Sequence, residues 1–157
     1  MLQALLLLYP EVIKLPTSNT PLSHHIADDP KYRTFFTDYV GALDGTHIDV
    51  HCRPEEAARY RNRKGHLTQN ILAVCNFEME FTYILAGWEG SAHDGVVYRS
   101  GLYKHGFVTS SRKYWLSNTR YPNLDIILVL YRGVWYYLKE QRLAGKRPEN
   151  FKELFNL

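Results

Sequence analysis

The pattern of apolar and polar positions changes character near Tyr39. Upstream, residues 2–9 are mostly leucine and predict a short helix. Pro10 should stop it, because proline has no N–H to give the helix and its ring crowds the preceding turn. Residues 14–31 are rich in Pro, Ser, Thr, Asn and Asp and predict an extended connector. Asp28-Asp29-Pro30 can open a helical turn over residues 31–36, since proline is tolerated at a first helical position. Downstream, residues 39–50 are dense in strand formers and predict a strand. A break follows at Arg53-Pro54-Glu55-Glu56, and then the basic stretch Arg59-Tyr60-Arg61-Asn62-Arg63-Lys64-Gly65-His66. Residues 69–76 and 80–88 predict two further strands, and the short polar link between them predicts a hairpin.

After Gly87-Trp88-Glu89-Gly90-Ser91-Ala92-His93-Asp94, Val96, Val97, Leu102 and Tyr103 are spaced as on a helix, with Asp94 placed as its N-cap. Residues 114–116 predict a fourth strand, ended by Ser117-Asn118-Thr119-Arg120-Tyr121-Pro122. Pro148-Glu149-Asn150 opens a last helix over residues 151–157, with an apolar ridge of Leu154, Phe155 and Leu157. Strands joined by short turns are antiparallel neighbours, and a strand reached through a helix is generally parallel to its partner. The expected architecture is therefore a mixed α/β sheet of three antiparallel strands, then a helix-connected parallel strand. Residues 1–38 form an N-terminal helix and connector, and residues 39–157 form the domain.

Composition narrows the class. With 157 residues, 45% hydrophobic and 14% aromatic including 12 Tyr, the chain suits one packed domain rather than a disordered segment. A net charge of +3 permits a polyanionic partner without demanding one. The two cysteines, Cys52 and Cys75, form neither a metal pair nor a disulfide framework. The leucine run is too short to span a membrane and lacks the flanks of a signal peptide, so a nuclear or cytoplasmic location is expected and no membrane partner.

Asp44 stands out chemically, because it follows Val40-Gly41-Ala42-Leu43 in an apolar strand. A carboxylate there must be paired, hydrogen-bonded or metal-bound, or else must mark the strand end and cap a turn. Asp94 reads either as a plain helix cap or as a ligand beside the small residues of its loop. Arg59, Arg61, Arg63 and Lys64, with Tyr60 interleaved, could track a phosphate backbone or simply form a solvated loop. His47 and His51 share a strand face but are too far apart there to chelate zinc readily.

Several blocks, in order, carry a family resemblance. Gly41-Ala42-Leu43-Asp44-Gly45-Thr46-His47-Ile48 resembles the first catalytic block of Harbinger-type (PIF/Harbinger) transposases and their domesticated nuclease relatives. Tyr60-Arg61-Asn62-Arg63-Lys64-Gly65, Thr68-Gln69-Asn70 and Gly87-Trp88-Glu89-Gly90-Ser91-Ala92-His93-Asp94 are similar to the blocks that follow it. Tyr131-Arg132-Gly133-Val134, Tyr137-Leu138-Lys139-Glu140 and Arg147-Pro148-Glu149-Asn150 resemble its late segments.

The resemblance implies a ribonuclease H-like fold and a DDE-type endonuclease acting on DNA. It also implies carboxylates that hold Mg²⁺ or Mn²⁺. Asp44 matches the first catalytic aspartate, and Asp94 matches the aspartate of the Gly-Ser-x-His-Asp block. Asn118 stands where the family places a further aspartate, and Arg120 where it places a glycine. The family's catalytic glutamate lies on a helix beyond Phe155-Asn156-Leu157, so the domain is expected to be incomplete at its C-terminus and inactive alone. A separate DNA-binding partner protein and a homo-oligomer are compatible with the resemblance. The alternative is a non-catalytic domesticated module that binds DNA or a protein.

Overall fold

A computed structural model of the chain describes residues 2–134, 145 and 147–156. Helix α1 (Leu2–Val12) comes first. It does not stop at Pro10, which lies inside it. Proline strands the carbonyl four residues back, that of Leu6, but Leu6 is exposed and water can take the missing place. The connector is not wholly extended either. It contains α2 (His24–Ala27), capped by the Ser23 side chain, and α3 (Pro30–Arg33), capped by Asp29 with proline at its first turn.

The domain is built on β1 (Tyr39–Asp49), β2 (Thr68–Cys75) and β3 (Phe81–Glu89), with the short α4 (Ala57–Tyr60) in the first connection. β1 pairs antiparallel with β2, and β2 with β3, as expected. The β2–β3 turn is closed by Asn76, whose side-chain oxygen accepts from the Glu80 N–H at 2.9 Å. Helix α5 (Asp94–Lys104) then crosses to β4 (Tyr114–Ser117), which pairs parallel with β1. A fifth strand, β5 (Ile127–Val129), which the sequence pattern did not announce, pairs parallel with β4. The sheet order is β3-β2-β1-β4-β5. Three antiparallel strands, then a helix-connected parallel strand and a further parallel strand beside it, flanked by helices, make a ribonuclease H-like α/β fold.

The last described element is α6 (Phe151–Phe155), whose N-cap Asn150 accepts from the Lys152 and Glu153 N–H groups. Asn156, buried at its end, exchanges two hydrogen bonds with the Tyr131 backbone and so ties α6 to the strand region. Leu157 and the Tyr137-Leu138-Lys139-Glu140 block lie outside the described residues.

Strand parity decides which side chains meet α5. Leu43 in β1, Leu72 and Val74 in β2, Tyr83 and Leu85 in β3 and Trp115 in β4 form one buried cluster with Val97 and Tyr98 of α5. Asp44 has the opposite parity to Leu43 and is exposed. It sits at the point where β1 loses its cover, and the α5 N-terminus comes down beside it.

Candidate functional site

β1 carries Asp44 and Gly45 into the region where α5 begins and β4 ends. Asp44 Oδ1 accepts from the Gly45 N–H at 2.8 Å and from the side chain of Asn118, just past β4, at 2.7 Å. The orientation of that amide follows from its partners. Asn118 Oδ1 accepts from the Arg120 N–H at 2.9 Å, so the NH₂ group is the part that faces Asp44. Asn118 thus presents a donor to the carboxylate and commits its oxygen to the backbone.

Asp94 approaches from the other side of β1. It is the first residue of α5 rather than the N-cap; His93 holds the cap position and makes no side-chain capping bond. The Asp94 carboxylate turns down to the sheet instead. Its Oδ1 accepts from Asn70 Nδ2 of β2 at 2.9 Å, and that same amide donates to the Ala92 carbonyl at 3.0 Å. A Cβ on Gly45 would lie 2.7 Å from Asp94 Cγ and nearer still to Oδ1. Only glycine leaves room here, which is the close approach of a ligand-bearing loop to a backbone. Asp94 is therefore held against the residue that follows Asp44 on β1.

Two further side chains complete the surroundings. Arg120 Nη1 lies 3.7 Å from Asp94 Oδ2. Tyr121 is fully buried, and its hydroxyl makes no hydrogen bond among the described residues. Burial, then the charges of Asp94 and Asp44, push its phenol far above the ordinary value, so it stays protonated. That both carboxylates act on one phenol places both in its neighbourhood. Asn70 is 1% exposed, and its Oδ1 is a buried acceptor without a partner among the described residues, close to Gly45.

The basic stretch reaches the same rim but its charges are differently employed. Arg59 is ion-paired with Glu89. Arg61 donates to the Gly65 carbonyl at 2.8 Å, and Asn62 Oδ1 ties the turn by accepting from the N–H groups of Lys64 and His66. Arg63 Nη2 lies 2.7 Å from His93 Nδ1, beside Asp94. An arginine is always a donor, so His93 Nδ1 is the acceptor in this contact. The loop is docked by Gly90, where a Cβ would collide with the carbonyls of Tyr60 and Thr68.

Asn70 is the site residue that pattern reading passes over, although a signal for it exists. It has the parity of Leu72 and Val74, so a polar side chain was headed for the covered face and needed a partner there.

The fit to a divalent metal is incomplete but chemically sensible. Two carboxylates are hard oxygen donors of the kind Mg²⁺ and Mn²⁺ take. Among the described residues, however, no three His, Cys, Asp or Glu side chains form a metal-holding group. Asn118 supplies no negative charge, and Arg120 already offsets Asp94.

A sequence model of the family described as DDE superfamily endonuclease matches residues 43–156. No curated protein and no solved structure matches the chain. The family match begins at the strand that carries Asp44 and takes in α5, the Asn118 turn and α6. The chain belongs to the DDE superfamily endonucleases.

Proposed function

We propose that the chain is a nuclease domain of the Harbinger type, derived from a transposase, that works on DNA in the nucleus with a weakened metal site. The superfamily generally uses divalent metals, and its substrate is DNA. The observation that carries the proposal is the approach of Asp94 to Gly45, the residue next to Asp44, in a chain of this family. Asp44 and Asp94 would hold Mg²⁺ or Mn²⁺, with Asn118 at a degenerate third position. The chemistry such an ion supplies is activation of a water or a DNA 3′-hydroxyl and stabilisation of the leaving oxygen in an in-line displacement.

The protein's own residues prepare that chemistry. Asn70 aims Asp94, and the Gly45 N–H and Asn118 amide aim Asp44. Arg61, Arg63 and Lys64 offer positive charge to a phosphate backbone along the rim, and Arg59 shares its charge with Glu89. Tyr121, neutral and buried, walls the site without exchanging a proton. The site as it stands is short of negative charge rather than without it, so in place of the inactivity expected from the sequence the domain alone should cut DNA slowly.

A second reading has an observation behind it too. An amide NH₂ against Asp44 and a guanidinium beside Asp94 give both carboxylates partners without any metal. Such a site would suit a module that binds DNA or a protein and no longer cuts.

One experiment separates the two. The unaltered chain and Asp44→Asn are incubated with supercoiled plasmid in Mg²⁺ or Mn²⁺, and DNA binding is measured alongside. The nuclease reading expects slow nicking by the unaltered chain, none by Asp44→Asn, and equal binding by both. Equal nicking by both would defeat it. Equal binding with no nicking by either would establish the module instead.

A further inference from the structure

Past the site, α5 and the turn after β4 enclose a groove of about 430 Å³, lined by Arg99, Leu102, Tyr103, Arg120, Leu124 and Arg132 with Gly95 and Pro122. We infer that this groove binds a single-stranded stretch of the DNA substrate, its phosphates held by Arg99, Arg120 and Arg132 and a base stacked on Tyr103. The inference rests on the nuclease domain's having DNA as its substrate, and it adds a surface separate from the Arg59–Lys64 loop.

Three features point to this occupant. The first is charge. Among the described residues, three guanidinium groups line the groove and no acidic side chain does. Arg132 donates to backbone carbonyls, from Nε to Thr119 at 3.0 Å and from Nη2 to Tyr121 at 3.3 Å. Arg99 Nε likewise faces the Gly95 carbonyl at 3.4 Å. These acceptors are neutral, and among the described residues Arg120 is the one of the three with an anionic partner, Asp94. A phosphate backbone is the polyanion that such a row complements.

The second feature is the aromatic ring. Tyr103 is 81% exposed on α5, four residues from Arg99, so the two share one helix face over the groove. An exposed ring between cations is the stacking platform used by proteins that hold unpaired bases. A paired base keeps its faces against its neighbours in the duplex, which is why a single strand is the better fit.

The third feature is continuity. Arg120 belongs both to the groove and to the carboxylate site through Asp94. A strand lying along the groove would thus run up to the Asp44–Asp94 region.

The test uses the full chain and fluorescein-labelled oligonucleotides, single-stranded and duplex, in EDTA so that metal plays no part. Anisotropy gives affinity across a salt series. Arg99→Ala is expected to weaken single-strand binding and to lower the log K against log salt slope by roughly 0.7, the value of one phosphate contact on a single strand. Tyr103→Ala should weaken single-strand binding about tenfold and duplex binding far less. Arg33→Ala, on α3, controls for bulk charge. Both groove positions are exposed, so the variants should melt like the unaltered chain. Single-strand binding unchanged in both Arg99→Ala and Tyr103→Ala, with loss on Arg63→Ala, would overturn the groove and leave the proposed function standing. No DNA binding by the unaltered chain would overturn both.

Discussion

Under α5 the sheet is dry. Leu72, Val74 and Trp115 are each 1% exposed or less, and Leu43 is 3% exposed. On the other face Ala42, Ala73, Cys75, Ile84 and Leu116 are only half-buried, and Asp44 stands in water. The two carboxylates divide along the same line. Asp94, on the covered side, has a side chain 12% exposed and is served by Asn70 and Arg120. Asp44, on the open side, keeps much of its hydration and needs less help. Burying a charge costs free energy unless partners replace its water. The covered face therefore supplies the stability of the fold and holds Asp94 with protein partners, whereas the open face leaves Asp44 to solvent.

Neighbouring residues on β4 give the most forceful way to break this contrast. Trp115 faces α5 and Leu116 faces away. Trp115→Ala should cost about 3–5 kcal/mol, the range for deleting a large buried aromatic side chain. Leu116→Ala should cost on the order of 1 kcal/mol, because little new cavity is enclosed where the side chain is already half in solvent. Urea denaturation of both variants decides the matter. Equal losses would mean that the two faces carry equal weight.

Much of this division could be read from residues 39–117 alone. Dense runs of strand formers mark β1, β2 and β3, and the polar link at residues 76–80 marks the β2–β3 hairpin. β5 escaped although it lies in the apolar run Ile126-Ile127-Leu128-Val129-Leu130, because a short continuous run has no period that tells a buried strand from a buried helix. It exists through its backbone bonds to β4, with Trp115 against Ile127, which no local pattern encodes. Pro10 misled for a related reason: the rule that proline ends a helix presumes that a stranded carbonyl is costly, and an exposed one is not.

At the site, the family resemblance singled out Asp44, Asp94 and Asn118, each of which had an ordinary local explanation. The substitution at Asn118 was visible as a lost charge. That its oxygen is taken by the Arg120 N–H, turning its amino group onto Asp44, depends on the fold of the turn. The role of Asp94 was hidden similarly. Sequence places it at a helix start, but its partner Asn70 lies 24 residues away on β2.

Gly45 is the hinge of the comparison, since it follows Asp44 on β1 and lies against Asp94. Gly45→Ala would drive a methyl group into Asp94. Either the Asp94 side chain leaves Asn70 or β1 shifts against α5, and a misfit of this sort costs roughly 1–3 kcal/mol. The variant should therefore unfold at lower urea, and adding Asn70→Ala should cost less than it does in the unaltered chain, because the Asn70–Asp94 bond is already disturbed. Fully additive losses in that double-mutant cycle would show that Asp94 does not depend on the gap at Gly45.

The smallest expected change in the metal-free protein comes from restoring charge on the open face. Asn118→Asp with Arg120→Gly replaces an amide by a carboxylate opposite Asp44 and removes the cation beside Asp94. Without metal, the carboxylates repel one another and Asp94 loses its ion pair. Arg120 is exposed and lies 3.7 Å from Asp94, so these effects amount to about 1 kcal/mol or less even though the Asp94 side chain is 12% exposed. The melting temperature should fall by a few degrees. Mn²⁺ should reverse the sign, because a ligand that binds only the folded state stabilises it, by about 2.7 kcal/mol at a hundredfold excess over Kd. The variant should then melt above its own metal-free value, while the unaltered chain gains much less, and calorimetric titration should show Mn²⁺ bound about tenfold more tightly, equal to about 1.4 kcal/mol. If Mn²⁺ shifts both proteins equally, Asn118 and Arg120 are not what limits the site, and the open face is deficient for some reason other than charge.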